Sequence, residues 1–148
     1  MLEFEEGRKG LRRLIYSSRF VGEGDFGEAV RAIVATSIQN NRLVDVTGFL
    51  LAGEGLFLQW LEGPATAVEE TFARIARDKR HADLVTIADS PAERRRFRDW
   101  NMGQHRLGAA DQALLAEVGL EVFNPAGLEA DRAERLLLRV GERYLRSA

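Results

Sequence analysis

Cysteine is absent from this 148-residue chain, which removes disulfides, thiolate nucleophiles and cysteine-based metal sites together. Histidine is nearly as scarce: His81 and His105 are the only two, and their positions share no metal-ligand spacing. No metal site is expected. The longest apolar stretch, 46–61, is interrupted by Glu54 and the two glycines that flank it, Gly53 and Gly55, so it does not read as a membrane span. An excess of either charge is missing too. Lys and Arg number 21 against 23 Asp and Glu, a formal charge of −2, so no long-range attraction to a polyanion is built in. Nucleic acid is not an expected partner. The basic run Arg94–Arg98 has acidic neighbours and reads as a solvated face. The opening residues, MLEFEEGRKG, carry acids where a signal peptide has a basic segment and then an apolar one. A cytoplasmic, membrane-free protein is expected. Nucleophile elbows, P-loops and dinucleotide-binding glycine patterns are absent, and with them any motif for conventional catalysis. The chain is not expected to be an enzyme.

What is present is the composition of one folded domain. Hydrophobic residues make up 45% and charged residues 30%, far from the disordered class. A short run from Leu11 to Ser18, between a glycine and a polar loop, suits a first strand, and Tyr16 lies on it. Asp25 followed by Glu28 resembles a capping box, and Phe26, Val30, Ile33, Val34 and Ser37 then share a helical stripe. A helix is predicted from Phe26 to about Asn40. Two runs rich in Leu, Phe and Trp, 46–53 and 56–63, flank a Gly-Glu-Gly turn and predict a hairpin. Thr66 and Glu69 make a second possible capping box. Val68, Phe72, Ile75 and Ala76 continue at helical spacing toward a helix end near Arg80 and His81. A fourth strand is predicted over 84–89 and a fifth over 96–104. The order β-α-β-β-α-β plus one strand predicts an α+β, ferredoxin-like sandwich with two helices on one face of an antiparallel sheet. Beyond Leu107 the pattern is helical, with helices predicted over 110–117 and 129–145 and a break at Asn124-Pro125 and Gly127. The predicted division is a domain at 11–104 and a C-terminal helical extension at 105–148.

Gln59 stands out because period-two alternation sets it on the face of Phe57 and Leu61. A buried amide without partners costs about 1–3 kcal/mol. Either that face is exposed or something polar meets it. Tyr16, taken alone, reads as a core tyrosine with its hydroxyl at the surface. Asn40 and Asn41 suit a helix C-cap, and Ser37 suits a bond back to a helix carbonyl.

Taken together and in order, LIYSS, SIQNNRLVDVTGFL, GLFLQWLEG, FARIARDKRH and RRRFRDWNMG closely resemble the BLUF family, blue-light sensors that use FAD. The resemblance spans 11–103. It implies that Tyr16 and Gln59 meet the flavin and that Asn41 bonds the polar edge of its ring, with Asn40 and Ser37 nearby. Ile33 and Ile75 match the isoleucines that sandwich the ring. Arg80 and His81 match a basic pair that contacts the flavin, beside Asp78. Trp100 and Met102 match a pair linked to signal output. The implied chemistry is electron donation by the tyrosine to the excited flavin, followed by its proton. Rotation or tautomerisation of the glutamine then shifts absorption to the red without a covalent bond, consistent with the missing cysteine. The implied protein is a stand-alone photoreceptor that signals to an unidentified partner through the fifth strand and C-terminal helices, as a homodimer or higher homo-oligomer. The alternative is a ferredoxin-like ligand-binding or dimerisation module without photochemistry.

Overall fold

The computed structural model describes residues 10–145. Five strands alternate with helices in the predicted order: β1 (Leu11–Phe20), α1 (Phe26–Leu43), β2 (Thr47–Gly53), β3 (Leu56–Pro64), α2 (Ala65–Arg77), β4 (His81–Pro91) and β5 (Gly103–Arg106). A 3-10 turn at Ala109–Asp111, α3 (Gln112–Glu117), a second 3-10 turn at Pro125–Gly127 and α4 (Ala130–Leu145) follow. The strands lie in the order β4-β1-β3-β2-β5. β1 runs antiparallel to β3 and β4, and β2 antiparallel to β3. β5 pairs parallel to β2, so the sheet is mixed rather than wholly antiparallel. The hairpin turn places Glu54 and Gly55 at positive φ, 54° and 77°, the two-residue geometry that matches strand twist and favours glycine.

Both sheet faces are covered. On one, Leu14, Leu50, Phe57 and Leu61 pack with Val30 and Val34 of α1 and Val68 of α2. On the other, Ile15, Phe49, Leu51, Leu58 and Trp60 pack with Leu115 of α3 and Leu136, Leu137 and Val140 of α4. The C-terminal helices therefore dock on the sheet of their own chain. Burial on both sides explains why β2 reads as an unbroken apolar run instead of an alternation. α4 is also fastened to β5. The His105 ring stacks on Tyr144 at 3.6 Å, and Asp111 accepts from the Tyr144 hydroxyl, from His105 Nε2 at 3.0 Å and from the Gly108 amide at 2.8 Å. Burial opposes the Asp111 charge, but these donors outweigh it and hold the carboxyl below its usual range.

Four further sequence expectations change. The Asp25 carboxylate does cap the Glu28 amide at 2.9 Å, but α1 continues to Leu43, so Asn40 and Asn41 lie inside its last turns and do not cap it. The Thr66–Glu69 box is not formed, because α2 begins at Ala65, two residues earlier, after Pro64 and with no side-chain cap. α2 ends at Arg77, and His81 opens β4 rather than closing the helix. The fifth strand is Gly103–Arg106 and not 96–104. The amides of Arg96 and Phe97 are taken by the Glu62 carboxylate, and Trp100 turns back to the Phe97 carbonyl. Those amides are unavailable to a neighbouring strand.

Leu136 is fully buried between α4 and the sheet. Leu136→Ala is expected to cost about 2–5 kcal/mol, read as a lower urea midpoint by circular dichroism. An unchanged midpoint would mean that α4 does not pack on the sheet in solution.

Candidate functional site

Pairing of β1 with β3 sets Tyr16 directly opposite Gln59. Both side chains point toward α1 and α2, and both are 2% exposed. The Tyr16 hydroxyl donates to Gln59 Oε1, and Gln59 Nε2 donates to Met102 Sδ at 3.2 Å. The amide expected to need partners has one at each end. Phe72 of α2 lies against the Tyr16 ring at a centroid distance of 5.2 Å. Burial, reinforced by the Asp78 charge, pushes the Tyr16 phenol far above the ordinary tyrosine range. It is a neutral donor at any physiological pH.

The pair forms the floor of a cleft between α1 and α2. Ile33, Ser37, Asn40 and Asn41 line the α1 side, and Ile75, Asp78, Arg80 and His81 line the α2 side. All ten residues proposed for cofactor contact thus border one cleft. Asn41 is buried, and its Nδ2 donates to the Asn101 carbonyl at 2.9 Å. Arg80 grips Asp78 through Nε and Nη2, and this pairing holds the Asp78 carboxyl below its usual range. His81 Nε2 donates to the Ile75 carbonyl at 2.7 Å, because a carbonyl can only accept. A neutral ring then offers Nδ1 as acceptor to the Ser18 hydroxyl at 3.0 Å. His81 therefore ties β1 to the end of α2.

The two residues paired for signal output separate. Met102 is buried against Gln59. Trp100 is half-buried in a groove with Leu138, Gly141 and Leu145 of α4, on the other sheet face. Grooves of about 360 Å³ around Arg13 and 400 Å³ around Arg98 are larger than the cleft, but they are open and lined by opposed arginines and glutamates. The cleft alone among these has convergent polar groups at a closed floor.

Sequence reading missed the polar cleft-lining residues Thr36, Thr71 and Arg74 and the buried Glu62. Thr71 lines the cleft, and its buried Oγ1 has no hydrogen-bond partner. It lies three residues after Val68 and four before Ile75, on the inward stripe, so its spacing could have exposed it. Glu62 is 1% exposed on the opposite face of β3. Alternation sets it beside Leu58 and Trp60, the same signal that singled out Gln59.

Comparison with known proteins agrees with this fold. The model of the BLUF family, "Sensors of blue-light using FAD", matches residues 11–103. Over 72 residues, 48% of this chain and 8% of the relative, the chain is 38% identical to photoactivated adenylate cyclase subunit beta of Euglena longa. It spans less than a tenth of that relative's length. The BLUF protein BlrB in its dark state superposes with a TM-score of 0.74 at 29% identity, covering 89% of this chain and 95% of that one. BlsA in its photo-activated state shares the fold, with a TM-score of 0.81 at 24% identity over 93% and 96% of the two chains. The matched region is a sensor module rather than a catalytic one, and the chain belongs to the BLUF family of blue-light sensors that use FAD.

Proposed function

We propose that residues 11–104 hold FAD between α1 and α2 and convert its excitation into a rearranged hydrogen-bond network at Tyr16 and Gln59, with 105–148 as the extension that caps the sheet and passes the signal to a separate protein. The observation that carries this is the buried Tyr16–Gln59 hydrogen bond on the floor of a polar cleft. The donor set fits a flavin. Asn41, Asn40 and Ser37 offer amide and hydroxyl groups to a ring edge rich in carbonyls and ring nitrogens, Ile33 and Ile75 offer apolar walls, and Thr71 has an unspent hydroxyl. The cleft volume is about 80 Å³, below the roughly 300 Å³ of common ligand pockets. The cleft must therefore widen to admit the ring, and Arg74 and Arg80 are among the side chains that line it.

When bound, the flavin supplies blue-light absorption and, once excited, a strong oxidant. Tyr16 is the electron donor. Its neutral phenol cannot give an electron without becoming a much stronger acid, and the nearest acceptor for the proton is Gln59 Oε1. The amide is held firmly by Tyr16 and only weakly by a thioether, a poor acceptor. Such asymmetric restraint permits rotation or tautomerisation once the Tyr16 bond changes. Met102, which touches Gln59, leads directly into β5 and from there to the His105–Asp111–Tyr144 fastening of α4. We include in this proposal a cytoplasmic location, no nucleic-acid or membrane partner, and a homodimer or higher homo-oligomer.

Tyr16→Phe is expected to bind FAD yet lose the light-induced red shift, and Gln59→Leu to do the same, as read by light-minus-dark absorption. An ordinary shift in either variant would sink the mechanism. Thr71→Val removes a buried hydroxyl without a partner, so the flavin-free protein should melt at a higher temperature while FAD affinity drops about tenfold. A lower melting temperature would instead mark a purely structural threonine. The weakened acidity of the Tyr16 phenol also fixes a pH window. The unfolded chain releases this proton near pH 10 and the folded chain does not, so stability is full below that pH and declines above it by about 1.4 kcal/mol per pH unit. Urea midpoints from pH 8 to 11 should show this decline, and Tyr16→Phe should remove the Tyr16 share of it, leaving that of Tyr144, whose phenol the hydrogen bond to Asp111 also raises.

A further inference from the structure

Glu62 is a fully buried carboxylate near the end of β3. Among the described residues no cation pairs with it; four neutral donors do. Thr47 Oγ1 donates to Oε2 at 3.0 Å and Trp60 Nε1 to Oε1 at 3.1 Å. The amides of Arg96 and Phe97 donate to Oε1 at 2.8 Å and Oε2 at 2.6 Å. A carboxylate withdrawn from water is tolerated only when its lone pairs are filled in this way.

Two of those donors belong to the segment that runs from β4 to β5. Between Arg95 and Met102 this segment has no strand ladder, so side chains set its path. One end is clamped to Glu62. The other end meets the cleft twice: Asn41 Nδ2 donates to the Asn101 carbonyl at 2.9 Å, and Gln59 Nε2 donates to Met102 Sδ at 3.2 Å. Trp100 lies between them, its carbonyl accepting from the Gly48 amide at 3.0 Å. Gln59 and Glu62 are three residues apart on one strand and face opposite sides of the sheet. The strand thus grips the same segment from both faces.

We infer that Glu62 is a positioning residue of the light response: by fixing the Arg96–Phe97 backbone it sets where Met102 meets Gln59, and so which way the Gln59 amide faces in the dark. The thioether accepts from Nε2 and cannot donate to Oε1, so its contact favours the orientation that presents Oε1 to Tyr16. A weakened clamp lets the thioether withdraw, and that preference narrows. This rests on the flavin-sensor reading above.

Glu62→Gln keeps the size of the side chain but puts an NH2 group against at least one of the four donors, which breaks the clamp. The variant is expected to bind FAD, to show a dark absorption band displaced toward the lit position, and to lose at least half of the light-minus-dark difference. Met102→Leu should reproduce this spectrum. A wild-type dark band and a full difference in Glu62→Gln would overturn the inference while leaving the sensor reading intact; no red shift in the unaltered protein would overturn both. Should Glu62→Gln not fold, hydrogen exchange on the unaltered FAD-bound protein decides. The Arg96 and Phe97 amides should stay protected in dark and light while protection over 100–103 changes on illumination. Exchange of those two amides as fast as exposed Arg98 and Asp99, or no change at 100–103, would overturn it.

Discussion

A phenol and a primary amide face each other inside the sheet because β1 and β3 pair in one register, with Tyr16 opposite Gln59. A slip of one residue would turn every side chain of one strand to the other face, and the pair would part. The register is held by burial on both sides of the two central strands, where Leu14 and Leu61 meet one set of helices and Ile15, Leu58 and Trp60 the other. Each polar group at the floor then has a defined partner, so the network has few states available. A buried, satisfied network of that kind rigidifies the core around it.

Under the proposed function, the second covered face is the sheet's means of transmission. If the C-terminal helices were detached, a movement at β5 would be lost in solvent. Instead, His105 on β5 stacks on Tyr144 of α4, and Asp111 binds both. Met102, one residue before β5, touches Gln59. The floor of the cleft and the last helix are therefore joined through one short strand, with the Glu62 clamp at the start of the loop that leads into it. Trp100 lies beside α4 and Met102 against Gln59, so the two residues sit on opposite faces of the sheet.

Periodicity and turn chemistry in the sequence by themselves determined the element order, the hairpin at Glu54-Gly55, the inward stripes carrying Ile33 and Ile75, and the C-terminal helices, because these depend on contacts only a few residues apart. The anomaly at Gln59 was also visible, since alternation placed an amide among apolar neighbours. Tertiary structure decided what local pattern could not. The fifth strand begins at Gly103 because a distant carboxylate, Glu62, claims the amides that would have started it earlier. Asn41 became a buried donor instead of a cap because the segment around Asn101 comes to lie over the end of α1. Tyr16 and Gln59, 43 residues apart, became one hydrogen-bonded unit only through strand pairing, since register is a property of two strands together and is written in neither alone.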